Sequence, residues 1–255
     1  MRTVRHRFFV QDAGAPGTTV ALSADESAHA TRVLRLRPGA VIGVFDGGGR
    51  ELVGVVTAVG GRVDVRIDAE IAAVPEPAVA VTLAHAVLKG DKMDGVVRDA
   101  VMLGAAAIRP IVTRRSETTL AALERGHRLE RWRRVALASA KQCGRAVVPE
   151  VLETQAFTPD ASWFDALALP APRLVLAEPD ARAVRPTPAV DVPRPGQGRA
   201  TLVVGPEGGW APDEIEALEA SCVAVTLGPR TLRADAAAVV ALAALFAIWR
   251  VEGAC

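Results

Sequence analysis

The stretch "LVVGPEGGWAPDEIEAL" (Leu202 to Leu218) is the most informative part of the C-terminal half of this chain. It leads from an apolar strand, through a Gly-Pro-Glu-Gly-Gly turn, into an acidic helix that begins at Pro212. A strand, a glycine turn and a helix in succession are typical of α/β domains. Glycines at such a turn indicate that a ligand lies against bare backbone.

The ligand that this turn predicts is not a phosphate. Helix N-termini favour anions, but Glu207 already places a carboxylate in the turn, and Asp213 and Glu214 follow at the helix start. The spacing matches neither G-x-G-x-x-G nor G-x-x-x-x-G-K-[ST]. The turn therefore favours a neutral or cationic ligand, held by backbone amides and carbonyls.

Composition is that of a globular protein. The 255 residues are 50% hydrophobic and 23% charged, enough for one large domain or two modest ones. The start "MRTVRHRFFVQD" has no apolar signal region, and the apolar run "AAAVVALAALFAIW" (Ala236 to Trp249) is shorter than the ~20 residues that span a bilayer. The three cysteines form no pair motif and no metal spacing. We expect a reduced, cytoplasmic protein without a metal ion or a membrane anchor.

The net charge of +1 hides an uneven distribution. Residues 76–150 carry a net charge of +5, whereas residues 151–255 carry −5. This asymmetry favours a polyanion bound by the basic middle and an uncharged or cationic ligand bound by the acidic end. The alternative is that these charges only solvate helix faces.

The first part of the chain reads as a small β-barrel. Short alternating runs such as "HRFFV" and "ELVGVVTAV" are separated by glycine turns, and one helix begins at Ser23 with Glu26 completing a capping box. "AAVPEPAV" (Ala72 to Val79) resembles a linker. We place a barrel domain over residues 1–73 and a second domain over residues 74–255.

Strands and helices alternate in the second domain, from "VAVTLAHAV" and "KMDGVVRDAVML" to a last helix that starts at Asp235. This order predicts an α/β domain with a parallel sheet covered on both faces. The proline-rich segment Pro179 to Arg199 is predicted to be a long loop. The last helix is apolar nearly all round, which favours burial on several sides and a subunit interface.

Two glycine motifs carry a family resemblance. The pairing of "GPEGGW-x-x-x-E" with "LGPRTLR" resembles the SPOUT (α/β-knot) RNA methyltransferases, and most of all the RsmE-type 16S rRNA uridine methyltransferases. "HRFFV", "HATRVLRLRPG", "VFDGGG", "LKGDKMD", "TRRS" and "KQCGRAVVP" are similar to family segments and follow in the family's order. The two glycine motifs together are specific, whereas each of the others alone is weak.

The resemblance implies a PUA-like β-barrel domain that binds RNA, followed by a SPOUT trefoil-knot domain with a parallel sheet, in a homodimer. It implies that the substrate is 16S rRNA in the small ribosomal subunit, methylated at N(3) of a specific uridine. The implied cofactor, S-adenosylmethionine (AdoMet), is a sulfonium cation without a phosphate, which suits the acidic turn. The implied cofactor-binding residues are Ala177, Glu178, Gly205, Glu207, Gly208, Gly209, Leu227, Gly228 and Leu232. The alternative for the glycines is an ordinary turn.

The implied reaction needs a proton acceptor and a group that stabilises negative charge, because the uracil imide nitrogen carries a proton. Arg233 serves only the second need, since a guanidinium stays protonated. Asp235 and Glu207 are the candidate bases, directly or through a water. The family typically has "LRTETA" where this chain has "LRADAA", so Asp235 is shorter than the usual Glu. The alternative for Asp235 is the N-cap of the last helix.

For RNA, we select cations that can contact phosphates or stack on bases: Arg5, Arg7, Arg32, Arg35, Lys89, Lys92, Arg114, Arg115 and Arg145. His29 is either an RNA contact or a buried histidine. Ala211 replaces a frequent Ser of the family, a lost cap that should cost stability by about 1 kcal/mol. The alternative function is a non-catalytic RNA-binding or ribosome-assembly factor with the same fold. The absence of G-x-S-x-G argues against an α/β hydrolase.

Overall fold

A computed structural model describes residues 6–160, 162–177 and 186–250. Contacts within the chain divide it into two compact units. The first comprises Met1–Glu76 and Ala140–Val148, and the second comprises Pro77–Ser139 and Pro149–Cys255. The sequence assigned 140–148 to the C-terminal domain, but this segment packs with the first unit.

The first unit contains a five-stranded sheet in the order β1-β3-β4-β5-β2. Its strands are β1 (Arg7–Phe9), β2 (Thr19–Ala21), β3 (Val41–Phe45), β4 (Glu51–Val59) and β5 (Val63–Ile71). β1 and β3 are parallel, and the other neighbours are antiparallel. The pairing of β4 with β5 shifts register at Gly54, where a Cβ would lie 2.6 Å from the carbonyl oxygen of Arg66. Phe8, Ile42 and Val65 are fully buried in its core, so the predicted small β unit is confirmed.

A helical segment interrupts this sheet where the sequence predicts it. Helix α1 (Ala24–Ala28) continues into a π-helical turn at His29–Val33. The hydroxyl of Ser23 accepts a hydrogen bond from the Glu26 amide at 3.2 Å, which confirms the N-cap. The second half of the predicted capping box is wrong, because the Glu26 carboxylate forms an ion pair with Lys141.

The second unit contains an eight-stranded sheet in the order β11-β13-β10-β12-β6-β7-β8, with β9 also paired to β7. Its strands are β6 (Ala80–Ala86), β7 (Ala107–Val112), β8 (Glu150–Val151), β9 (Gln155–Ala156), β10 (Arg173–Leu176), β11 (Thr187–Pro188), β12 (Arg199–Val204) and β13 (Val223–Thr226). These described pairings are parallel, as predicted. The central strands β6 and β12 are buried along nearly their whole length, which explains their continuous apolar sequences.

The helices of the remaining chain are α2 (Lys92–Leu103), α3 (Leu120–Arg125), α4 (Arg128–Cys143), α5 (Trp163–Ala166), α6 (Pro212–Ser221) and α7 (Ala234–Ile248). The predicted bounds of α2 and the predicted start of α6 at Pro212 are confirmed. The predicted start of α7 is wrong by one residue, since Arg233 is its N-cap residue and Asp235 lies in its first turn.

The proline-rich segment is only partly a loop. Thr187–Pro188 forms the edge strand β11, paired with β13, and Ala189–Asp191 forms a 3₁₀ turn. The indole of Trp249 donates a hydrogen bond to the carbonyl oxygen of Val192 at 3.1 Å. Tertiary pairing thus orders the second half of a segment whose composition predicts a loop, and residues 178–185 lie outside the described residues.

Helix α7 buries one face and exposes another. Ala238, Leu242 and Leu245 are fully or almost fully buried. An apolar stripe at helical spacing is exposed: Ala236, Val240, Ala243 and Ala247. Burial on several sides is therefore not achieved within the described residues of this chain.

A glycine substitution tests the packing at the end of α2. Gly104 has φ +105°, and a Cβ there would lie 2.4 Å from Cγ of Pro77. We expect Gly104→Ala to lower the free energy of unfolding of the second unit by about 2–4 kcal/mol, since strain and overlap add. Gly90→Ala is the control, because Gly90 has φ +67° with open space around it, and its cost should stay near 1 kcal/mol. Equal losses in urea titrations would contradict the packing argument.

Candidate active site

A cavity of about 660 Å³ lies in the second unit, where three neighbouring parallel strands end. Its walls come from the end of β10 with Ala177, from Gly205–Trp210 after β12, and from the end of β13 with the loop that leads into the first turn of α7. We call Gly205–Trp210 the glycine turn. β13, β10 and β12 are adjacent in the sheet, so parallel pairing brings the two glycine motifs together.

The cavity gathers the residues that the sequence selects for a cofactor. Its lining includes Ala177, Gly205, Glu207, Gly208, Gly209, Leu227, Gly228 and Leu232, together with Arg233 and Asp235. Glu178, also selected, lies outside the described residues. Residues that the sequence reasoning did not select also line it, among them Trp210, Glu219 and Arg230.

The glycine turn needs its glycines for steric reasons. A Cβ at Gly205 would lie 2.7 Å from Nε1 of Trp210, whose indole packs edge-to-face on Phe157 with 5.4 Å between ring centroids. Gly209 has φ +69°, and its amide donates to the carbonyl oxygen of Pro206 at 3.0 Å. The turn is therefore tight and offers backbone groups to the cavity.

Glu207 is paired with a lysine on the cavity wall. Nζ of Lys92 lies 2.8 Å from Oε1 of Glu207, and the Lys89 amide donates to the same oxygen at 3.4 Å. Partial burial raises the pKa of Glu207, but the Lys92 hydrogen bond and further hydrogen bonds outweigh it, and the pKa falls below its usual value. Glu207 is thus ionised at neutral pH. Lys92, predicted to bind RNA, also lines the cavity.

Arg233 and Asp235 form a second pair. Nε and Nη2 of Arg233 donate to the two oxygens of Asp235 at 3.1 and 2.9 Å. The hydrogen bond from Arg233 is the main cause that lowers the pKa of Asp235. The Arg233 side chain remains 73% exposed. The N-cap alternative for Asp235 is wrong, because Arg233 occupies that position.

His85, which sequence reasoning did not select, lies beneath the start of α7. The ring is fully buried at the end of β6, with Nδ1 2.6 Å from the carbonyl oxygen of Ala86 and Nε2 3.3 Å from that of Ala234. Burial lowers the pKa of His85, which favours the neutral ring. A neutral imidazole has one N–H, so it donates to one of the two carbonyls. A lone histidine in an apolar strand was the only sequence signal.

Four cations selected for RNA surround the glycine turn, and each has a partner in the second unit. Lys89 lies 2.7 Å from Glu117, and Lys92 pairs with Glu207. Arg114 lies 2.5 Å from Asp213, and Arg115 donates to the carbonyl oxygen of Gly208 at 3.1 Å.

The cations selected in the first unit fall into two groups. Arg7 binds both oxygens of Glu51 and donates to three backbone carbonyls in 140–145, and the nearly buried Arg145 binds Glu76. These two side chains hold segment 140–148 instead of facing solvent. Arg32 and Arg35 are exposed beside Val33, which is 65% exposed.

His29 and Arg5 in this part of the chain were also selected from the sequence. His29 is half-buried, with its ring edge-on to Phe8 at 6.3 Å between centroids. Arg5 lies outside the described residues.

Within the described part of the chain, no group of three His, Cys, Asp or Glu side chains is arranged to hold a metal ion. The described helices include none that is long and apolar enough to cross a bilayer.

Two proteins of known name are similar in sequence to this chain over most of its length. The chain is 34% identical over 243 residues to the ribosomal RNA small subunit methyltransferase E of Mycobacterium tuberculosis, covering 93% of this chain and 90% of the relative. The protein of that name from Synechocystis is 31% identical, with coverages of 90% and 73%.

Two solved structures are similar to this chain over nearly its whole length. A Neisseria gonorrhoeae ribosomal RNA small subunit methyltransferase E bound to S-adenosyl methionine is 32% identical, with a TM-score of 0.82 and coverages of 96% and 98%. A putative methyltransferase from Legionella pneumophila, also in complex with that cofactor, has a TM-score of 0.84 at 28% identity, with the same coverages.

Family models match both parts of the chain. Residues 22–68 match an RNA methyltransferase PUA domain, and residues 75–246 match an RNA methyltransferase domain. The PUA-like and SPOUT fold classes that the resemblance implies are thereby confirmed, while the knot stays a prediction. Because the second match covers more than half of the sequence, this chain belongs to the RNA methyltransferase family that its paired glycine motifs predict.

Proposed function

We propose that this chain methylates N(3) of a specific uridine in the 16S rRNA of the small ribosomal subunit, with AdoMet as methyl donor. One observation carries the proposal: both glycine motifs line a single cavity at the carboxyl edge of the parallel sheet. The relatives named as small subunit methyltransferases support the choice of RNA.

The cavity fits a cationic nucleoside. A volume of about 660 Å³ is in the range of small-molecule sites, and bare backbone at Gly228, where a Cβ would meet no atom within 4 Å, allows close approach. Three carboxylates line the cavity, Glu207, Glu219 and Asp235, and the cations Lys92 and Arg233 are each paired with one of them, which suits a sulfonium better than a phosphate. When bound, AdoMet supplies an electrophilic methyl group. Residues of all three walls would hold it, Ala177 and Leu227 through their backbone and apolar surfaces.

The side chains around the cavity match the needs of the reaction. Arg233 is protonated and mostly exposed, so it can stabilise negative charge on a uracil carbonyl oxygen. Lys92 offers a second cation from the glycine-turn side. Glu207 and Asp235 are ionised, and one of them, or a water that it holds, accepts the N(3) proton. Their lowered pKa values make Glu207 and Asp235 weak bases. We therefore expect stabilisation of the developing negative charge by Arg233 and Lys92 to contribute more to the rate than proton removal does.

Assembly and RNA recruitment complete the proposal. The exposed α7 stripe defined above suits a second copy of this chain, because its small apolar residues form one continuous row. Residues 1–73 would recruit RNA, with Arg32 and Arg35 as exposed contacts, and residues 74–255 would carry the reaction. An rRNA substrate places the protein in the cytoplasm.

The non-catalytic alternative rests on one observation. In the "LRADAA" segment, where this chain differs from the family pattern, Arg233 and Asp235 form a bidentate ion pair with each other. A factor that binds RNA without transferring a methyl group could keep this arrangement.

Cofactor binding is tested by calorimetry with AdoMet and S-adenosylhomocysteine (SAH). We expect wild-type protein to bind both, and Gly205→Val to weaken SAH binding at least tenfold, because the added side chain displaces Trp210 and the turn. Gly60→Val, at a position with open space in the first unit, should bind SAH like wild type. A folded wild-type protein that binds neither compound would end the enzyme proposal.

Catalysis is tested by methyl transfer from labelled AdoMet into small-subunit particles from cells that lack this activity. Arg233→Ala should lower kcat by about 10²–10³-fold, the usual effect of removing one transition-state donor, with SAH affinity nearly unchanged. Arg125→Ala, an exposed arginine of α3, should retain full activity. Undiminished transfer by Arg233→Ala would remove Arg233 from the mechanism, and no transfer by wild type would favour the non-catalytic factor.

The dimer is tested by sedimentation equilibrium. Val240 is 44% exposed in the α7 stripe, so Val240→Glu should convert a dimer into monomers, because a charge in an apolar interface is costly. Val190→Glu changes a 70% exposed valine outside the stripe and should leave the dimer intact. A wild-type monomer at micromolar concentration, or an unaffected Val240→Glu dimer, would exclude this interface.

A further inference from the structure

The loop after β7 packs directly against the glycine turn. We call Thr113–Glu117 the basic loop. A Cβ on Gly208 would lie 3.3 Å from Cβ of Arg115 and 3.4 Å from its carbonyl oxygen, so Gly208 permits this close approach. Nη1 of Arg115 also donates to the Gly208 carbonyl at 3.1 Å, and Arg115 lines the cavity.

A buried carboxylate joins the same two segments. Glu214 is only 1% exposed. Its Oε1 accepts a hydrogen bond from the amide of Arg114, and its Oε2 accepts one from the amide of Ala211, both at 2.8 Å. Arg114 belongs to the basic loop, and Ala211 follows the glycine turn. A single side chain, 100 positions after Arg114 in the chain, therefore bridges the basic loop and the residue that follows the glycine turn.

The burial of Glu214 depends on both bonds. A buried carboxylate is costly unless hydrogen bonds compensate for its lost hydration, and here the amide of Arg114 in the basic loop and the amide of Ala211, the N-cap residue of α6, do so. Removing one bond leaves a polar group unsatisfied. The cap that Ala211 was expected to lose is retained in part, because the Glu214 side chain accepts a hydrogen bond from the Ala211 amide.

The basic loop is also closed on itself. The amide of Thr113 donates to Oγ of Ser116 at 3.0 Å, and the amide of Ser116 donates to the carbonyl of Thr113 at 3.1 Å. Arg114 adds its ion pair with Asp213 on α6. These internal bonds make the loop rigid, so a contact that holds Arg114 in place also holds Arg115 in place.

We propose that Glu214 is a positioning residue that holds the basic loop against the glycine turn, and that Arg115 thereby sets the place of the Gly208 carbonyl in the cofactor site. This inference rests on the proposed function. It assigns Arg115 to cofactor binding, although this residue had been selected from the sequence as a cation for RNA.

The test compares SAH affinity with RNA affinity in the full-length chain. Glu214→Gln keeps the size of the side chain but turns one acceptor into a donor that faces an amide. We expect it to weaken SAH binding about tenfold and to leave binding to small-subunit particles within twofold of wild type. Glu216→Gln removes the same charge from an exposed position on α6 and should change neither affinity.

A second variant guards against misfolding of Glu214→Gln. Arg115→Met keeps the length of the side chain but removes the donor to Gly208, and it should weaken SAH binding about threefold to tenfold with RNA binding retained. Arg125→Met is its control.

The outcomes separate the two proposals. Wild-type SAH affinity in both variants would overturn this inference, even with a lowered melting temperature, because Glu214 would then only stabilise the fold. Lost RNA binding with unchanged SAH affinity in Arg115→Met would also overturn it, since it would place Arg115 on the RNA. A wild-type protein that binds no SAH would instead refute the proposed function.

Discussion

Parallel pairing of β10, β12 and β13 is the constraint on which the candidate site depends. Parallel strands end at the same edge of a sheet, so loops that follow neighbouring strands must meet there. The strand β12 is buried along nearly its whole length, which fixes it between layers of packed side chains. The glycine turn is thus the end of a rigid element, and a rigid element holds backbone groups in place better than a free loop.

Charge pairing is the second feature of the site. The four cations described around the glycine turn are each matched by an acidic side chain or a carbonyl. Exposed pairs of this kind add little stability, so a ligand can compete for either partner at small cost. The paired cations Lys92 and Arg233 help to lower the pKa values of Glu207 and Asp235 below their usual range, so both carboxylates are ionised at neutral pH. Such a site suits a cationic cofactor beside a substrate that develops negative charge.

The first unit separates cations that build the fold from cations that face solvent. Arg7 and Arg145 satisfy their hydrogen bonds internally and hold segment 140–148. Arg32 lies in the π-helical turn and Arg35 lies just after it, and both side chains are exposed. Under the proposed function, Arg32 and Arg35 are cations of this unit that remain accessible to RNA.

The order of the main strands and helices, the parallel sheet, the family and the two glycine loops could be read from the sequence alone, whereas the short strands β8, β9 and β11 and the helices α3 and α5 were not predicted. The predicted features rest on local patterns: continuous apolar runs, Pro212 at a helix start, and two turns rich in glycine. The tertiary structure alone decided that Arg145 is buried, that His85 lies under α7, and that Glu214 joins two distant loops. Those facts depend on contacts between residues far apart in the chain, and no local pattern of residue types encodes which of several charged side chains will find a buried partner.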